Sequence, residues 1–257
     1  MSILGSIGSF ISGVGSAICR GVSSICSAIS GTALGSSLGN VVSKFVSIIG
    51  VAVPAINVIN IVNAILVVAN IVSKLAEAIR IKEKDKDEPD ELAMKAEKSD
   101  KKPEDFDSVE EYIKYLQEEI ELTDEEKEKL EKMDDEKRSA YRATGTYLYT
   151  KCINEKLGLD NTGIKNPELI GITADILVDL AKLNDKISPA DFIVYARHLH
   201  STGLSMNDFS NYLHKSSTNI MLDKKVQNAI VDAMREIDPL ISETDIDKKL
   251  FELNLEE

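Results

Sequence analysis

Between Lys44 and Lys74 lie 29 consecutive residues without a charge. That run constrains the chain more than any other feature. A membrane-spanning helix needs about 20 predominantly apolar residues, and a helix apolar on most of its surface must be hidden in lipid or in protein. Gly50 and Pro54 sit early in the run and break or kink it. The continuous helix is therefore expected from Ala55 to Ser73, running on toward Ile81. Asn57, Asn60, Asn63 and Asn70 fall on it within an arc of about 140° at helical spacing. The opposite side carries Val58, Ile61, Val62, Ile65, Leu66, Ala69 and Val72. An unpartnered amide in hydrocarbon is costly, so the asparagine side is expected to face another helix, another subunit or water.

The segment before it is Gly- and Ser-rich yet periodic. Ile7, Ile11, Val14, Ile18, Val22, Ile25 and Ile29 recur at steps of three and four, which is a helical stripe. Glycine disfavours a helix in water by about 1 kcal/mol per site relative to alanine. Small residues at this density make sense where another backbone approaches closely. In pattern the stretch resembles a glycine-zipper type of segment, with the regular GxxxG spacing not maintained. Residues 31–40, GTALGSSLGN, read as a turn. Residues 1–81 are thus expected to form an apolar helical hairpin, inserted in a membrane or in an assembly.

Charge divides the chain. Residues 1–73 hold Arg20, Lys44 and no acid, so the rest of the 30 basic and all 43 acidic residues lie beyond, within a net charge of −13. The lysines are interleaved with a larger number of acids, and no basic stripe forms. Nucleic acid is therefore excluded as a partner class. Residues 82–107 are dense in both signs and read as a flexible, solvated linker with a helical stretch near 90–98.

From 108 to 257 the punctuation is helical throughout. SVEE at 108–111 and TDEE at 123–126 are capping boxes. Asn166-Pro167 and Ser188-Pro189 place a cap before a proline at the first helical position. Helices are expected at 108–121, 124–133, 136–157, 166–183, 189–201, 206–215, 223–236 and 243–254. The fold class is all-α: an apolar hairpin, a charged linker and a soluble acidic helical domain.

Chemistry leaves little trace. His198 and His200 stand two apart, so they point to different sides of a helix, and the spacing of four used by paired metal ligands is missing. Asp160-Asn161-Thr162-Gly163 begins like a calcium loop, but Gly171 occupies the twelfth position where an acid is needed, so a turn is expected. No nucleophile elbow, phosphate loop or dinucleotide fingerprint is present. No metal, no cofactor and no enzymatic reaction is expected. Cys19, Cys26 and Cys152 are too few for a disulfide framework and read as small apolar residues. Tyr141, Tyr147 and Tyr149 cluster around Gly145. They are either core residues or, with the segment from Ser201 to His214, a partner surface of the helical domain.

The sequence carries two function readings. In the first, residues 1–81 insert into a bilayer as a pore-forming or permeabilising protein of the toxin, effector or lytic type, assembling with further copies of itself. No basic n-region precedes the first apolar stretch, so a signal peptide is not expected. Synthesis in the cytoplasm with later membrane association, export or packing in a virion is. Lys74, Arg80, Lys82 and Lys84 would hold the end of the run on the cytoplasmic side. In the second, the same helices pack inside a multi-subunit particle of a phage-like or injection machine, as structural or cargo protein.

Overall fold

A computed structural model describes residues 19–31, 38–84, 86–160, 162, 169–183 and 185–255. The protein is all-helical, with no strand among the described residues. Residues 19–30 are helical and are called α1. They are followed by α2 (Gly39–Val51), α3 (Ile61–Ala78), α4 (Pro89–Lys98), α5 (Val109–Glu119), α6 (Asp124–Glu131) and α7 (Asp135–Lys156). The remainder is α8 (Ala174–Lys182), α9 (Pro189–Ser201), α10 (Met206–Leu213), α11 (Ile220–Ile237) and α12 (Glu243–Glu252). Ile7, Ile11, Val14 and Ile18 lie outside the described residues.

Caps set most boundaries. The side chains of Ser108, Thr123, Asp134, Ser188, Ser205 and Ser242 each accept from the backbone N–H three residues on. Asn219 accepts from both Met221 and Leu222. The start of α5 has a second anion: one Glu155 carboxylate oxygen accepts from the N–H groups of Val109 and Glu110 at 3.0 and 3.2 Å. A carboxylate there satisfies orphan donors and matches the positive end of the helix.

Helices α3 and α7 lie against each other and form the axis. Helices α4 and α5 pack on α7, α8 and α9 pack on α3, and α10, α11 and α12 close over that second flank. One apolar cluster runs from Ile25 and Ile29 of α1, through Ile65, Val68 and Val72 of α3, to Ile246 and Leu253 at the far end of the chain. The apolar first third is therefore built into the same core as the acidic remainder.

Three expectations are corrected. Residues 82–107 are not a bare linker. Their middle is α4, with Leu92, Ala93 and Ala96 buried. It meets α7 where Gly145 offers no side chain: a Cβ there would stand 1.7 Å from the Pro89 carbonyl oxygen. The helix expected at 166–183 begins only at Ala174. Upstream of it the Asn154 amide donates to the Ile172 carbonyl at 2.8 Å and accepts from the Ile172 N–H at 2.7 Å, which ties a bent, non-helical backbone to α7. Gly171 enters with φ of 90°. The apolar helix itself starts at Ile61, not at Ala55, because the chain turns twice before it.

Candidate functional site

Helices α2 and α3 carry the uncharged run, and helices of the acidic remainder pack on them. Helix α2 ends at Val51, a short 3-10 turn covers Val53–Ile56, and Asn57 takes a left-handed conformation with φ of 58°. Asparagine tolerates that region better than most residues. Asn60 then caps α3, its side-chain oxygen accepting from the Asn63 N–H at 2.9 Å. Two of the four asparagines thus punctuate the backbone and never enter the helix. Asn63 is half-buried and Asn70 exposed on the outer side of α3, where Leu66, Lys74 and Ala78 also reach solvent.

The inner side of α3 is apolar apart from Ser73. Ile61, Ala64, Ile65, Val68, Ala69, Ile71, Val72, Leu75 and Ala76 are buried against α7, α8 and α9. Close approach of α1 and α2 depends on glycine. A Cβ at Gly50 would lie 2.5 Å from Val22 Cγ2, and one at Gly21 would lie 2.8 Å from Ile61 Cγ2. Among the described residues of the first segment, Gly21 meets α3, Ile25 and Ile29 are buried, and Ser23, Ser27 and Ser30 are exposed. Among the described residues α3 is the one helix long and apolar enough to cross a membrane: 18 residues, mean hydropathy 1.7 and 56% of that span buried inside the protein.

Charged clamps close around this core. Lys82 has a fully buried side chain that reaches Glu77 at 2.9 Å and Glu88 at 3.1 Å. Burial by itself would lower its pKa; the two carboxylates outweigh that and hold it above the ordinary lysine value. Ser73 on α3 donates to the same Glu88 at 3.0 Å. Asp90 at the start of α4 is buried and accepts from Arg138 and Arg142 of α7 at 2.8 and 3.2 Å. Lys151 and Asp160 form a buried pair at 2.5 Å. Desolvation pushes the Asp160 carboxyl up, but hydrogen bonds from Lys151 and from the hydroxyl and N–H of Thr162 hold it below the ordinary value. The Asp160–Thr162 turn leaves its carboxylate engaged within the protein, turned to Lys151 and Thr162.

The tyrosines are core, not a partner surface. Tyr147 and Tyr149 are buried and Tyr141 is nearly so, all on α7. Tyr149 donates to the Asp87 carbonyl at 2.6 Å, and Tyr141 donates to Glu97. Burial raises the pKa of all three hydroxyls, so each stays protonated. The period of α7 hides this: at its centre Tyr147, Leu148 and Tyr149 are consecutive and all buried, because α3, α4 and α5 surround it.

From Ser201 to His214 the side chains of Leu204, Met206, Phe209 and Leu213 turn inward. Asn207, Ser210 and His214 line a cleft of about 450 Å³ with Ala52, Asp175 and Lys182. At its base the buried Asp179 accepts from the Ser210 hydroxyl at 2.7 Å and lies 2.8 Å from His214 Nε2. A serine nucleophile needs the histidine between itself and the carboxylate. Here the Ser210 hydroxyl is committed to Asp179 directly, so the three do not form a proton relay; they tie α8 to α10. His198 pairs with Glu236 at 2.7 Å, tying α9 to α11. Among the described residues no cluster of His, Cys, Asp and Glu could hold a metal ion. Sequence spacing missed Asp179 and Asp90, since each meets partners more than thirty residues away. Compared with protein-family models, with curated proteins and with solved structures, the chain matches none.

Proposed function

We propose that the protein is a membrane-inserting protein of the permeabilising or pore-forming kind, held in a water-soluble state by its own acidic helices. The observation that carries the reading is α3: a helix of spanning length and hydropathy, preceded by a second apolar helix, wrapped by helices of the same chain. At 1.5 Å per residue its 18 residues extend about 27 Å, close to the hydrocarbon thickness of a bilayer. Insertion then means that α2 and α3 exchange their contacts with α7, α8 and α9 for lipid and for further copies of the hairpin. The shell is housing, and this reading requires no reaction and no cofactor of it.

The test is vesicle flotation with dye release, on the full chain and on a Leu66→Lys/Asn70→Lys variant. Both positions face solvent near the middle of α3, so the soluble fold tolerates the change. Each lysine at the centre of a spanning helix costs about 2.5–3.5 kcal/mol on insertion scales. The expected result is leakage by the parent chain, lost in the variant at unchanged melting temperature. Equal leakage by both removes α3 from the inserting segment. A chain that neither floats nor leaks dye, and instead elutes as a discrete soluble particle, supports the alternative of an assembly core.

A further inference from the structure

We infer that the turn between α2 and α3, residues 51–60, is the surface that first docks on a bilayer, entering the boundary between headgroups and acyl chains. The inference rests on the membrane reading above and names its contact point. The turn divides its apolar residues by direction. Val53 and Ile56 point into the core and Val58 packs half-buried against it, whereas Val51 is 85% and Ile59 84% exposed. Pro54 and Ala55 are exposed between them. The two inward residues pin the turn, so the outward pair is presented by a fixed frame.

Two further observations select lipid as the occupant. The turn contains no charge, and the nearest charged residues along the chain are Lys44 and Lys74. Part of the turn closes on itself: Ala55 and Ile56 donate to the Ala52 carbonyl at 2.9 and 3.1 Å, and Asn57 donates to the Pro54 carbonyl at 3.3 Å. The turn is also continuous with α3, so contact at this point places the spanning helix end-on to the membrane. With a net charge of −13 the chain gains nothing from anionic headgroups, and the fitting partner is a neutral surface.

The chain has no tryptophan, so an Ile59→Trp variant carries a single fluorophore at the turn. A Phe251→Trp variant, at a 75% exposed site on α12, serves as control. Both full-length variants are titrated with phosphatidylcholine vesicles with and without brominated acyl chains. The expected result is a blue shift and bromine quenching for Ile59→Trp and neither for Phe251→Trp. A Val51→Ser/Ile59→Ser variant is expected to bind these vesicles about tenfold or more weakly. If the chain floats with vesicles while Ile59→Trp remains in water, the docking assignment is overturned and the membrane reading stands. No flotation at all overturns both. A concentration-dependent blue shift without vesicles assigns the turn to a second copy of the chain and overturns the lipid partner.

Discussion

At the scale of single residues, glycine and buried charge carry more of this structure than their abundance suggests. Gly145 is the sharpest case. In an exposed helix, alanine in its place would stabilise by about 1 kcal/mol. Here the added methyl meets the Pro89 carbonyl, part of a backbone that moves only if α4 moves. Gly145→Ala is therefore expected to destabilise by about 1–3 kcal/mol or more, the reverse of its propensity, as read by urea unfolding. Asp160 makes a second prediction. Its folded pKa is depressed, so the stability it contributes is present above the unfolded value of about 4 and is lost as pH falls through the folded value. Asp160→Asn should remove that acid-side dependence and destabilise by about 3–5 kcal/mol at neutral pH, because Lys151 loses its buried counter-charge. Melting temperature recorded between pH 2 and pH 7 for both proteins checks it. The asparagines teach the same lesson by their different fates. Asn57 supplies a left-handed turn residue, Asn60 a helix cap, and Asn70 a solvated position; one residue type answers three local needs.

At the scale of elements, the α3–α7 pair and the crossing of α4 over α7 decide the arrangement. Helix α4 looks solvated in sequence because five of its ten residues are charged. It is held by Leu92 and Ala96 below, by Asp90 between two arginines, and by Lys95 paired to Asp87 at 2.5 Å. If α4 is a core element, Leu92→Ala should cost about 2–5 kcal/mol in chemical denaturation. A value near zero would restore the picture of a free linker. The helix boundaries in the acidic part were legible because caps are local: hydroxyl, then acid three residues later, reports on four adjacent N–H groups and on nothing distant. The start of α8 was not legible, because the Asn154 amide that engages the Ile172 backbone comes from another helix.

At the scale of the whole molecule, the division between an apolar third and an acidic remainder is chemical and is not a boundary between separate cores. The buried cluster joins Ile25 to Leu253 without a break in type. A chain beginning at Ile81 would lose α1, α2 and α3 and leave the inner faces of α7, α8 and α9 open to water. Such a fragment is expected to lack cooperative thermal unfolding and to aggregate, with a calorimetric trace free of a single transition as the readout. A sharp transition would show that residues 81–257 fold alone. A net charge of −13 favours dispersal in water through like-charge repulsion, an effect that is independent of fold.

Read alone, the sequence determined that this protein is helical, where most of its helices begin, and that much of residues 45–73 must be hidden from water. Those are properties of neighbours along the chain: periodicity, capping and the absence of charge. What hides the apolar run was decided only by tertiary structure. An apolar helix looks the same whether its neighbours are lipids, other subunits or the inward faces of its own amphipathic helices. Here the covering faces of α7, α8 and α9 are assembled from side chains more than fifty residues away in the chain, and no local pattern records that they converge on α3.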